Sequence, residues 1–214
     1  MNDKKPFLKI ILLSPISFLY GFFVHIRNLM FDYQIILKSK SFEIPVISVG
    51  NITVGGTGKT PHIEYLINLL KNECKIATLS RGYKRKTSGF LLANSESTVY
   101  DIGDEPKQIK HKFPKIDVAV DENRVRGIKS LLKSGSPDLN TILLDDAFQH
   151  RYVKPGLSIL LVDYTQPMFD DHLLPLGRLR ESRFEKRRAN IIILTKSPDN
   201  FKPIEKRILI NNLK

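Results

Sequence analysis

Glycine, lysine and threonine stand at a spacing suited to phosphate in the run Gly55, Gly56, Thr57, Gly58, Lys59 and Thr60. Glycines let successive backbone N–H groups turn toward phosphate oxygens with no Cβ in the way. A helix beginning near Lys59 would point its positive end at the same anion. Lys59 then reaches the β- and γ-phosphates of a nucleoside triphosphate, and the Thr60 hydroxyl ligates Mg²⁺. Thr53 and Val54 form the entrance to this loop and complete the expected nucleotide-binding set. The usual pattern G-x-x-x-x-G-K-[ST] has glycine where Thr53 stands. The entrance must therefore adopt a backbone conformation open to a β-branched residue.

A second element carries acids. Residues 141–144 are apolar or β-branched and run into Asp145 and Asp146. Ligands of open α/β sheets collect at the carboxyl ends of strands, which predicts these acids beside the phosphate loop. One carboxylate would hold Mg²⁺ directly or through water, and the other would orient it. The stretch Thr195, Lys196, Ser197, Pro198, Asp199 invites comparison with the guanine-reading [NT]-K-x-D motif. Its Asp comes one residue late and a proline intervenes, so a strand end and turn is the better reading. ATP is the expected nucleotide.

These residues need a scaffold, and the hydrophobic pattern supplies one. Short β-branched or Leu-rich runs occur at 45–49, 75–79, 116–120, 141–144, 157–162 and 191–194. Such runs suit strands buried on both faces of a parallel sheet. After the loop, Ile63, Leu66, Ile67 and Leu70 share one helical face. Pro61 falls in that helix's first turn, where a missing N–H costs nothing. Strand and helix in alternation predict a P-loop NTPase-like α/β fold, a mostly parallel sheet flanked by helices. Residues 80–94 are basic and contain glycine, and read as an exposed excursion or hairpin.

The N-terminus has another character. Between Lys9 and Arg27 runs the charge-free stretch IILLSPISFLYGFFVHI. It falls short of the ~20 apolar residues of a full span, and no small-residue cleavage site follows it. The expectation is an apolar helix lying in a membrane surface, its flanking Lys and Arg near anionic headgroups; a marginal transmembrane helix and a buried core helix are the alternatives. Three parts are expected: a membrane-associating segment at 1–40, a kinase-like domain at 41–200, and the start of a further lobe at 201–214.

A hydrophobic content of 42% argues against general disorder. The formal charge of +12 calls for an anionic partner: nucleic acid, an acidic membrane, or a phosphorylated substrate. With one cysteine, Cys74, no intramolecular disulfide can form; Cys74 reads as a small hydrophobe at a helix end.

In order along the chain, GNITVGGTGKTP, SRGYKRK, GDEP, LDDAFQHR and LLPLGRLRE resemble the tetraacyldisaccharide 4′-kinases of lipid A biosynthesis. The resemblance extends from the apolar N-terminus to about Lys196, and that family also has Thr at the position of Thr53. It implies transfer of the γ-phosphoryl group of ATP to the 4′-hydroxyl of a lipid A disaccharide 1-phosphate, at the cytoplasmic face of the bacterial inner membrane. It selects a lipid substrate and a membrane surface as partners and sets nucleic acid aside. By the same resemblance, Asp104 is the base for the attacking hydroxyl, acting with Lys59; alone, Asp104 would read as an N-cap or turn residue. Asp145 and Asp146 are metal candidates and Glu181 a further one. Gln149 and His150 line the pocket. Arg81 and Arg180 contact substrate or nucleotide, and the other basic residues of 81–86 and 178–188 are solvated surface. The family continues into a second lobe with a histidine thought to pair with the catalytic Asp, and nothing after 191–194 supplies it here. The rival class is a membrane-associated P-loop ATPase or GTPase switch, which would need a guanine-reading Asp or a second switch motif.

Overall fold

The computed structural model describes residues 4–200 and 202–213. The elements in chain order are α1 (Lys4–Asp32), β1 (Val46–Gly50), α2 (Lys59–Leu70), β2 (Ile76–Ser80), β3 (Leu91–Leu92), α3 (Val99–Ile102), α4 (Asp104–Lys112), β4 (Asp117–Val120), α5 (Arg124–Ser134), β5 (Thr141–Asp145), β6 (Leu157–Asp163), β7 (Ile191–Thr195) and α6 (Pro203–Leu213). Two 3-10 turns, Met168–Asp170 and Arg183–Arg188, precede β7. The strands follow the order β3-β4-β2-β5-β1-β6-β7. The chain divides into two compact units that do not follow chain order. The first comprises residues 1–38, 51–57 and 160–214, and the second residues 39–50 and 58–159.

The second unit is the parallel part that the apolar runs predict. β1 pairs with β5, β5 with β2 and β2 with β4, all parallel. Its core gathers Val46, Ala77, Leu79, Ala119, Ile142 and Leu144 from the strands and Ile128 and Leu131 from α5. Helix α5 lies close on β2: a Cβ at Gly127 would meet Leu79 Cδ2 at 2.8 Å. Residues 80–94 do leave the parallel layer, but they return as β3, antiparallel to β4, with Leu91 opposite Val120. Two residues of strand carry no readable periodicity, so the sequence shows only the excursion. Helix α2 starts where the loop predicts, and Ile63 and Ile67 of its apolar face are fully buried. Cys74 follows it, free and half-buried.

In the first unit, α1 is a single helix with Pro15 inside it. The stretch Ile10–Asp32 is long and apolar enough to cross a membrane by length and composition, and only 6% of its most apolar window is buried. Phe18, Leu12 and Phe23 stand exposed, which removes the buried-core alternative. β7 ends at Thr195, and Lys196 then turns with φ 55 and donates to Asp163 at 2.6 Å. That is a strand end with a tethered lysine, as the displaced Asp199 suggests.

Candidate functional site

In the second unit the chemistry gathers at the carboxyl end of the sheet. Asp145 is the last residue of β5 and lies in register with Val49 of β1. It is 1% exposed, and neither carboxylate oxygen has a hydrogen-bond partner among the described residues. Burial drives its pKa up to about 7; the charges of Glu105 and Asp146 add to the rise, and Lys59 and Arg124 oppose it. Asp146 adopts a left-handed backbone with φ 47, a region that Asp enters more readily than most residues. Lys59 Nζ stands 3.6 Å from Asp146 Oδ1. An amine and two acids thus meet at the start of α2.

The turn after Asp146 explains the rest of its motif. Ala147 N–H donates to the Val49 carbonyl at 3.3 Å, and Ala147 and Phe148 are buried. A Cβ on Gly50 would come within 2.8 Å of the Phe148 backbone nitrogen, so only glycine fits at the end of β1. Gln149 and His150 follow, half-buried, with His150 N–H bonded back to the Ala147 carbonyl at 2.9 Å.

Two further members were not legible in the sequence. Arg124, first residue of α5, is 2% exposed. Its guanidinium donates to the carbonyls of Asp121 at 2.7 Å and Asp145 at 3.2 Å, while Nε has no partner among the described residues. Burial lowers its pKa to about 10, against the pull of Asp145 and Asp146, so it stays charged at neutral pH. A cation in the first turn opposes the helix dipole; that misfit was the available signal. Glu105 in the first turn of α4 is the other, close enough to act on Asp145.

Asp104 opens α4 and is exposed. Gly103 before it has φ 90, and a Cβ there would sit 2.8 Å from the Tyr83 carbonyl. This glycine fixes where the two acids emerge. Arg81 follows the last residue of β2, is exposed, and lies near enough to Arg124 to oppose its charge.

The loop itself turns through Gly55 at φ 118 and Gly58 at φ 84, backbone that favours glycine. Among the described residues nothing lies within 4 Å of a Cβ built on Gly55 or Gly56, so this backbone is open to a ligand. Thr60 is buried in the first turn of α2. In the first unit, Thr57 is 3% exposed and its hydroxyl lacks a partner among the described residues. Thr53 forms an antiparallel bridge with Leu179, flanked by Val54 N–H to the Arg178 carbonyl at 2.8 Å and Arg180 N–H to the Ile52 carbonyl at 2.7 Å. An extended, bridged residue is where a β-branched side chain belongs; that is the physical reason Thr53 can stand in place of glycine.

Glu181, also in the first unit, is fully buried, and its two oxygens pair with Arg27 and Arg188. A metal there would have to displace a guanidinium, so the geometry favours an anchoring role over metal ligation. Arg188, read as solvated surface, has a side chain only 18% exposed and also pairs with Glu185 at 2.8 Å. Arg178 is held by Asp171 at 2.8 Å. These partners turn part of the basic run into structure. Among the described residues no group of three His, Cys, Asp or Glu could hold a metal alone. The donor set still fits Mg²⁺, which takes one or two carboxylates and completes its shell with phosphate oxygens and water.

The family described as tetraacyldisaccharide-1-P 4′-kinase matches residues 9–212. A tetraacyldisaccharide 4′-kinase of Bacteroides thetaiotaomicron is 56% identical over 201 residues, covering 94% of this chain and 53% of that protein. One from Flavobacterium johnsoniae is 56% identical over 189 residues, covering 88% of this chain and 55% of that one. The chain spans about half the length of these curated relatives. A crystal structure described as "apo" form LpxK from Aquifex aeolicus in complex with ATP superposes with a TM-score of 0.79 at 37% identity, covering 92% of this chain and 62% of that one.

Proposed function

The chain belongs to the tetraacyldisaccharide-1-P 4′-kinase family, and from that premise we propose that it transfers the γ-phosphoryl group of ATP to the 4′-hydroxyl of a tetraacyldisaccharide 1-phosphate. The observation that carries this reading is Asp145, a buried carboxylate with no hydrogen-bond partner among the described residues, set beside Asp146 and Lys59. Stability alone gives no reason to bury an unpaired carboxylate. A bound cation and phosphate supply one.

Phosphoryl transfer asks the protein mainly for positioning and countercharge. The backbone from Thr53 to Thr60 cradles the triphosphate, as the free space over Gly55 and Gly56 suits. Lys59 exchanges its contact with Asp146 for the phosphates. Asp145, Asp146 and the Thr60 hydroxyl would hold Mg²⁺, which would supply countercharge for the phosphates. Arg124 places a desolvated guanidinium next to the same carboxylates. Asp104 orients the acceptor hydroxyl and takes its proton late, because a sugar hydroxyl is a poor acid. Arg81, Gln149, His150 and Arg180 offer donors to the anionic substrate. The exposed apolar surface of α1 lies in the membrane at its cytoplasmic face, where the lipid substrate resides.

With γ-labelled ATP, the label should reach lipid only when the disaccharide acceptor is present. Release of free phosphate at the same rate without acceptor would replace this reading with an ATPase switch. Asp104→Asn should lower turnover about 10²- to 10⁴-fold with ATP still bound. Collapse of ATP affinity instead would move Asp104 from base to metal ligand.

A further inference from the structure

Glu181 is a costly residue for a mere fastening. It is fully buried between Arg27 of α1 and Arg188. Well-packed apolar side chains of similar volume usually stabilise at least as well as a buried ion group. What charges add is a fixed position, because each partner must meet its counterpart with the right geometry. The backbone around Glu181 shows which position is fixed.

The preceding residue, Arg180, is bonded in two directions. Its carbonyl accepts the Tyr20 hydroxyl of α1 at 2.8 Å, and its N–H donates to the Ile52 carbonyl at 2.7 Å. Two residues earlier, the Arg178 carbonyl accepts from Val54 N–H at 2.8 Å. Residues 178–180 are therefore a short segment, bridged at Leu179, that bonds both to α1 and to the first arm of the phosphate loop. The contact with α1 extends further. Ser17 donates to the Leu173 carbonyl at 2.8 Å, and a Cβ on Gly21 would lie 2.6 Å from Leu173 Cδ1. Leu173 in turn bridges Leu179. Ser17, Tyr20, Gly21 and Arg27 thus grip one segment, and that segment grips residues 52–54. All of this lies within one compact unit.

We propose that Arg27, Tyr20 and Glu181 are positioning residues for the phosphate loop, acting through the bridged 178–180 segment on Ile52, Thr53 and Val54. The proposal rests on the reading of that loop as the nucleotide site. Helix α1 is then a structural support of the loop as well as an apolar surface. A simple anchor for α1 would not alter the loop when loosened; a positioning clamp would.

Amide hydrogen exchange separates the two, because the Val54 and Arg180 N–H groups are the bonds at stake and exchange reports local opening. Glu181→Gln would leave two guanidiniums facing a neutral group and is at risk of misfolding. Arg27→Ala combined with Tyr20→Phe leaves Glu181 paired with Arg188 and is the variant of choice. Exchange at Val54 and Arg180 should rise about tenfold, with the amides of Ile142 to Leu144 in β5 unchanged. Affinity for a fluorescent ATP analogue should weaken by about tenfold, and Arg27→Lys in place of Arg27→Ala should restore part of the loss. Unchanged exchange at Val54 and Arg180 in the folded variant would overturn the proposal. So would faster exchange spread equally into β5, or faster exchange at those two amides with ATP-analogue affinity intact. If the wild-type protein does not bind the analogue at all, the nucleotide reading fails, and the exchange rates still decide whether α1 holds the loop.

Discussion

Asp145 and Glu181 are both carboxylates removed from water, and the protein treats them in opposite ways. Glu181, in the first unit, meets a guanidinium at each oxygen. Asp145, in the second, meets none at either oxygen among the described residues, and burial raises its pKa to about 7. A paired buried acid is architecture, since its charge is already answered. An unpaired one carries its desolvation cost unanswered, and under the proposed function a bound cation would answer it. The two would look alike in any list of buried acids; their partners tell them apart.

The sharpest way to break this contrast is through Lys59, the cation facing Asp145 and Asp146. Lys59→Ala should reduce phosphoryl transfer by roughly three orders of magnitude with the thermal midpoint little changed, since Lys59 acts on charge and not on packing. Near-wild-type turnover in a folded variant would remove the phosphate-loop assignment. The paired acid comes next. Glu181→Gln should destabilise by about 3–5 kcal/mol in denaturant titrations, because two guanidiniums lose their counterion; a variant as stable as wild type would show that the ion group is not structural.

Asp145→Asn should do the reverse in the absence of divalent cations. A raised acid pKa means the folded state holds its proton more tightly than the unfolded state. Stability therefore falls as pH rises from the ordinary carboxylate range through about 7 and levels off above. Asn escapes that loss, so its advantage should be near zero at pH 4 and grow to a few kcal/mol by pH 8. Mg²⁺ with nucleotide should raise the midpoint of the wild type and leave the variant's unmoved. An advantage independent of pH would mean that Asp145 is not the destabilised group.

Where the chemistry depends on neighbours in the chain, the sequence was readable. The strand run 141–144 became Thr141–Asp145, and α2 begins at Lys59 as the glycines and Pro61 suggest. Local periodicity and turn chemistry act within a few residues, so they can be read from a few residues. Arg124 and Glu105 were missed because their roles come from elements far apart in the chain, brought together at the end of β5. Arg188 was misread as surface for a different reason: its partners Glu181 and Glu185 are near in the chain, but their burial beside it is set by the fold.

By itself, then, the sequence determined the α/β class, the phosphate loop with its odd Thr53, the acid pair after β5 and the apolar character of α1. Each of these is written in residue type and short-range order. Tertiary structure decided which acids are satisfied, why Thr53 is tolerated, and that α1 grips the segment bridged to the loop. Those properties depend on contacts between residues as much as 160 positions apart, such as Tyr20 with Arg180, and only folding makes such pairs neighbours.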